Sequence, residues 1–364
     1  MNNLKFQSVN SRYIWIVLLG CIVGVYTEIV TLIAITFWIS YKYHNWCKVS
    51  NRWKLFCWLL FFHGIFSLYL TGYTHQKFFQ QLFLLYVTYF SYNLIFTYCR
   101  IKPEKWFEIY LKITYFISIV GLIEFLIKHS ANIDIFPYTL DGFPTQKAGR
   151  LHAFLAEAGS FVAFTTPAIA YIILVPNYYK ENKMKFVTIL TAYFLTVSTS
   201  MVVSLTIIIL IKLYKSFKHF KYILLLSVLY GMGWLITNYS QFEPSNREAT
   251  TSGMGAVHLK LYETMLVLET ASPYDYENLN LSSYAALTNY WVAFNAPYRL
   301  FGTGLGTHSQ NYEHLYKSSF EGYGLNKDDG YSLFARLFSE FGIIGICLYI
   351  FFLIKCYNKQ NIIS

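Results

Sequence analysis

Charge is what this chain has least of. Of its 364 residues, 13% are Asp, Glu, Lys or Arg, where a soluble domain carries about 25%. Acidic residues are the scarcer kind, 19 against 29 Lys and Arg, for a formal net charge of +10. That excess does not point to nucleic acid, because it is spread through short loops between apolar runs and forms no single patch. Cysteine is equally uninformative as a ligand. Cys21, Cys47, Cys57, Cys99, Cys347 and Cys356 contain no C-x-x-C spacing and lie in apolar segments or basic loops, so neither a metal site nor a disulfide framework is expected. No early segment pairs a short apolar core with a small-residue cleavage site, so no removed signal peptide is expected.

What the chain has in place of charge is apolar length: 55% of residues are apolar and 20% aromatic. Runs near or above the roughly 18 residues of a membrane-spanning helix recur throughout: 13–40, 55–70, 78–98, 106–127, 152–175, 186–211, 222–240 and 333–354. Lys and Arg concentrate in the short loops 41–54, 99–105, 176–185 and 212–221, with Lys355 and Lys359 in the tail. Such loops stay cytoplasmic. Alternation then works from 41 to 175 and fails at 186–211, which is basic at both ends. The simplest repair is a hairpin turning near Ser198, Thr199 and Ser200.

The same reasoning applies to 13–40, flanked by Lys5, Arg12 and the 41–54 loop, with Glu28 at its middle. Arms of about 13 residues reach roughly 20 Å, short of a roughly 30 Å hydrocarbon core, so their turns must be buried in protein or line a wet cavity. The alternative for 13–40 is one long tilted helix with the N-terminus outside. The expected fold is an all-α polytopic membrane protein, a single integral membrane domain over 1–364 with about ten transmembrane passes including the two hairpins, both termini cytoplasmic. Two loops then face outward, 128–151 and the large 241–332, which holds ten of the acidic residues and five of the basic ones.

The segment "YRLFGTGLGTHSQNY" (298–312) lies in that large loop. Its glycines, Gly302, Gly304 and Gly306, are spaced G-x-G-x-G, with Thr307 where a dinucleotide loop would place its third glycine. ATP and NAD are scarce outside the cytoplasm, so no nucleotide cofactor is expected; the glycines serve loop geometry. Outward cations are Arg150, Arg247 and Arg299, with Arg336 opening the last helix. Arginine stays charged and its fork of donors matches phosphate oxygens, those of a substrate or those of lipid headgroups.

Glu157, seven residues after Arg150, is expected about two turns into an apolar helix, where an acid faces a cavity or a partner. Glu124 is expected to pair with Lys128, and Arg336 with Glu340, each four apart. His308, directly after the glycines, is the candidate base, whereas His258 and His314 read as surface residues. "KDDG" (327–330) is a turn before it is a metal site.

Three segments carry a family resemblance: "RLHAFLAEAGSFVAFTTPAIAYIIL", the Ser/Thr break in "LTVSTSMVVSL", and "APYRLFGTGLG" followed by "DDGYSLFARLFSEFGIIGICLYIFFLI". In that order they resemble the O-antigen polymerase and O-antigen ligase superfamily of bacterial membrane glycosyltransferases, over roughly 145–355. Ala158 stands where that family often has proline, and no histidine precedes "GYSLF", where the ligases commonly place one. The resemblance therefore implies a polymerase of the cell inner membrane acting on polyprenyl-diphosphate-linked oligosaccharide, with ligase or lipid-linked sugar flippase as alternatives. It implies Arg150 with Arg247 or Arg299 on the diphosphate, His308 or Glu157 as the base, and no metal. Besides substrate and bilayer, a chain-length regulator and a flippase are the partners expected by analogy.

Overall fold

The computed structural model describes residues 51–74, 76–99, 103–138, 150–155, 157–175, 178–216, 220–238 and 272–356, with positions 30, 33, 34, 37, 259, 262 and 263. Its helices are α1 (Asn51–Thr71), α2 (Gln76–Cys99), α3 (Pro103–Ala131), α4 (Ala158–Leu174), α5 (Tyr178–Glu181), α6 (Lys183–Leu195), α7 (Thr199–Ser216), α8 (Phe220–Asn238), α9 (Leu281–Asn295), α10 (His308–Leu315) and α11 (Leu333–Cys356), with a 3-10 turn at Asp275–Asn278. Among the described residues there is no strand. Lys54–Thr71, Lys105–Ala131 and Leu333–Ile354 are long and apolar enough to cross a membrane, and Ala158–Leu174 and Ser200–Tyr214 are shorter apolar helices. Trp58, Leu59, Phe62 and Phe66 on α1 and Leu348 through Ile354 on α11 present their side chains outward. A helix with that surface suits hydrocarbon and not water. The described residues are all-helical, and three of their helices have the length and apolar surface of membrane spans.

The chain divides into two compact units. In the first, mainly 95–262, α4 is the centre, packed against α3, α6 and α7. Its buried residues Ala158, Phe161, Val162, Thr165, Ala168, Ile169 and Ile172 recur at helical spacing and form one face. Pro167 interrupts its hydrogen bonding. Thr165 and Thr166 donate to the carbonyls of Phe161 and Val162 at 2.7 Å each, and the Tyr110 hydroxyl of α3 donates to Phe164. These hydroxyls add second donors to carbonyls that flank the proline turn.

The run 186–211 is two helices, broken at 196–198 where Val197 has φ 40°. The Tyr193 hydroxyl meets Ser204 Oγ at 2.5 Å across the break and Thr166 of α4 at 2.9 Å. The run 152–175 begins its helix later than its hydropathy predicts. Residues 150–155 are non-helical, with Leu151, His152 and Ala153 fully buried. The reason is a hydrogen bond: the Leu151 N–H donates to the carbonyl of Leu195 at 3.2 Å, satisfying an end of α6 that the break orphans. The second predicted hairpin, 13–40 with Glu28, lies outside the described residues apart from four helical positions.

The second unit contains α1, α2 through Leu94, and 263–360. Here α9 packs against α10, α11 and the 3-10 turn, over a core of Tyr276, Tyr284, Tyr312 and Tyr316. The last helix is interrupted at Gly342, whose φ of 63° and ψ of −161° lie in a region open in practice to glycine alone.

Candidate functional site

The break at Gly342 is where the glycine run goes. Helix interruption orphans carbonyls before it and amides after it. The carbonyls of Ser339 and Glu340 accept from the N–H groups of Thr303 and Gly304 at 3.1 and 2.8 Å. The amides of Ile343 and Ile344 donate to the carbonyls of Arg299 and Leu300 at 3.0 and 3.2 Å. Four backbone bonds thus close the gap. The approach needs two residues without side chains: a Cβ on Gly302 would lie 2.3 Å from the Glu340 carbonyl carbon, and one on Gly342 would lie 2.5 Å from the Arg299 oxygen. Gly304 and Gly306, both at positive φ, face Ser67 of α1 and the Lys77 carbonyl of α2 in the same way. All three glycines of the run approach the protein's own helices.

His308 begins α10 and is buried. Its Nε2 stands 3.0 Å from Oδ1 of Asn289 on α9. The Asn289 amide is oriented by two carbonyls, donating to Ala285 at 2.7 Å and Leu325 at 3.0 Å. Its oxygen must therefore face the imidazole, which assigns the proton to Nε2 and leaves Nδ1 as a lone pair. Nδ1 has no hydrogen-bond partner among the described residues. Burial, then the nearby Arg336 charge, pushes the His308 pKa down to about 4, with Asp329 opposing. The ring is neutral at physiological pH.

Around it, Arg336 Nε donates to Glu340 Oε1 at 3.0 Å, the pairing that the four-residue spacing predicts. Asp329 accepts from the Tyr331 amide at 2.9 Å and the Asn326 side chain at 3.2 Å, which makes "KDDG" a turn closed by Gly330. Lys77 bonds Ser309 Oγ at 2.9 Å and pairs with Asp328. Further in, Asn311 donates to Thr303 Oγ1 and Ser339 Oγ at 2.7 Å each and accepts from Tyr73 at 3.0 Å. This polar network fixes the floor on which His308 sits.

The first unit has a separate arrangement. His152 Nδ1 donates to the Ala153 carbonyl at 2.7 Å, so its Nε2 lone pair faces Glu124 Oε1 at 3.3 Å. Both side chains are 1% exposed. The predicted Glu124–Lys128 pair is corrected: Lys128 bridges to Asp134 at 3.0 Å, and Glu124 belongs to His152. Arg150 is half-buried at the start of this segment.

Glu157 also requires correction. It is not two turns inside an apolar helix but the exposed N-cap of α4, extended in backbone, with no capping bond from its side chain. Of the predicted site residues, Arg299 and His308 fall in the second unit with Gly302, Gly304 and Gly306, and Arg150 and Glu157 in the first. Arg299 is exposed, as is His314. Arg247 and His258 lie outside the described residues. Sequence inspection missed Asn289 and the Glu124–His152 pairing; no local signal links residues so far apart in the chain. The chain matches no family model, no curated protein and no solved structure.

Proposed function

We propose that this protein is a metal-independent glycosyltransferase that polymerises polyprenyl-diphosphate-linked oligosaccharide repeat units on the outer face of a bacterial inner membrane, in a chain of about ten passes with cytoplasmic termini. The observation that carries it is His308, a buried imidazole near the cation Arg336 whose Nδ1 has no hydrogen-bond partner among the described residues. In the proposed step an acceptor sugar hydroxyl attacks the anomeric carbon of the donor as the carbon–oxygen bond to diphosphate breaks. The hydroxyl proton passes to His308 Nδ1, and polyprenyl diphosphate leaves from the opposite face, inverting the centre. The energy is stored in the sugar–phosphate bond, so no nucleotide is needed.

Arginines match the leaving diphosphate in charge and geometry. Arg150, Arg247 and Arg299 were expected in this role, and Arg336 joins them because it adjoins the base. An anion arriving at Arg336 would offset the charge that depresses His308 and so raise its basicity as substrate binds. His308 replaces Glu157 as the proposed base, since Glu157 is an exposed cap.

A second reading, transport of the lipid-linked sugar, is favoured by one observation: Glu124 and His152 face each other, fully buried, and acids inside a membrane bundle often line ion paths. A gel of surface polysaccharide separates the readings. Cells lacking the gene, or carrying His308→Ala or Arg150→Ala at normal protein level, are expected to show one repeat unit on the acceptor. Full-length polymer left on polyprenol would indicate a ligase, loss of even the single unit a transporter, and an unchanged ladder would exclude all three.

A further inference from the structure

A base must come within hydrogen-bond reach of the proton it takes, yet His308 is 1% exposed. Asn289 and Arg336, beside it, stand on α9 and α11, which pack against each other and against α10. The turn 326–331 covers the ring as well. Gly330 is buried, and a Cβ there would lie 3.3 Å from His308 Cδ2 and 3.2 Å from Arg336 Cβ, so its backbone rests on both. Asn326, Asp328, Asp329 and Tyr331 around it are exposed. The ends of the turn are pinned. The Leu325 carbonyl accepts from Asn289 at 3.0 Å, and Ser332 Oγ accepts from the Ala335 amide at 3.1 Å where α11 begins. The middle is held differently. The Gly330 N–H donates to the Asn326 carbonyl at 2.8 Å and the Tyr331 N–H to Asp329 at 2.9 Å, both within the turn. Among the described residues, its ties to the helices are side chains: Asp328 with Lys77 of α2, Lys327 with Glu313 of α10 at 2.6 Å, and the Tyr331 hydroxyl 3.5 Å from that of Ser282 on α9.

We propose that 326–331 is a lid over His308, hinged at Leu325 and Ser332 and latched by the Lys77–Asp328 and Lys327–Glu313 pairs. The magnitudes suit a gate. Asp328 and Glu313 are more than half exposed, and such pairs shift an equilibrium by at most about fivefold each. Against them stands a backbone cost: Asn326 at φ 57° and Tyr331 at φ 62° occupy the left-handed region, which a bulky side chain rarely adopts. Opening relieves it. A closed state so balanced yields to thermal motion without disturbing the helices. Closed, the lid shields the base from water; open, it admits an acceptor hydroxyl. That consequence rests on His308 being the proton acceptor; the lid itself does not.

The test is carbethoxylation of His308 by diethyl pyrocarbonate, which attacks neutral imidazole, in the purified full-length protein, read by peptide mass spectrometry. The exposed His314 is the internal reference. In wild type, His308 is expected to react much more slowly than His314. Asp328→Ala and Lys327→Ala are each expected to speed His308 by up to about fivefold, with His314 unchanged. Lys77→Asp combined with Asp328→Lys, which restores the pair with its charges exchanged, is expected to return the rate toward wild type. Raising salt from about 0.01 to 1 M shortens the screening length from about 30 to 3 Å. It is expected to speed His308 in wild type, where no substitution can have disturbed the fold, and not in the Asp328→Ala, Lys327→Ala double variant. A His308 as reactive as His314 in wild type, or a rate that neither variant nor salt moves, would overturn the lid. If the latch variants respond while His308→Ala leaves the polysaccharide ladder intact, the lid stands and the catalytic role of His308 falls. An unmoved rate with a collapsed ladder would mean the reverse.

Discussion

Each unit of this protein contains a broken helix, and the two breaks are repaired by different chemistry. At 196–198 the repair uses side chains: Thr196 Oγ1 donates to the Tyr193 carbonyl at 2.7 Å, Ser198 meets Ser200 at 2.6 Å, and one backbone bond arrives from Leu151. At Gly342 it uses main chain, four bonds to 299–304, with glycines where the backbones meet. At the first break local hydroxyls and a single incoming N–H suffice, so ordinary residues fill it. Two of them, Ala153 and Val197, carry positive φ there. Direct backbone contact tolerates no Cβ. The second break is the one that anchors the glycine run leading to His308.

The comparison is broken most severely at Gly302. Alanine there would meet the Glu340 backbone at 2.3 Å with φ at 75°, two penalties that neither chain can relax. Destabilisation of roughly 3–5 kcal/mol is expected, measured by thermal unfolding in detergent; a change under about 0.5 kcal/mol would show that the close backbone contact does not exist.

A somewhat smaller effect is expected from pH. The His308 pKa is lowered in the fold from 6.5 to about 4, so between those values the unfolded chain binds a proton that the folded chain does not. Stability attributable to this group is complete above pH 6.5, falls as the pH is lowered toward and through 4, and totals on the order of 3 kcal/mol. His308→Gln should flatten that slope by one proton, and an identical slope would contradict the assigned burial.

The gentlest change sharpens the contrast from the other side. Val197 is β-branched at φ 40°, a strained conformation, so Val197→Gly is expected to stabilise the first unit by about 1 kcal/mol. A loss of stability would mean that the valine side chain contributes more than its backbone costs.

The sequence made the long apolar helices legible because hydropathy over a span is a summed, local property. The break near Ser198 was legible for a related reason: a run that is basic at both ends cannot alternate sides. The start of α4 was not, since Leu151, Ala153 and Phe154 are as apolar as the helix that follows. Only the bond to Leu195 distinguishes them. That late start moved Glu157 out to a cap and left Glu124 and His152 as the buried pair. His308 stood out beside its glycines, yet the residues that define its proton and its surroundings, Asn289 and Arg336, come from other helices. The glycine pattern announced close approach, and tertiary structure alone supplied its targets, α11 for Gly302, α1 for Gly304 and α2 for Gly306.

The central functional claim is tested most directly by reconstitution. The full-length protein in phospholipid vesicles would be given polyprenyl-diphosphate-linked oligosaccharide in metal-chelating buffer. The account predicts products of two or more repeat units with matching release of polyprenyl diphosphate, and loss of both in His308→Ala. Folded wild-type protein that forms no polymer, or a His308→Ala variant that polymerises as well as wild type, would contradict it.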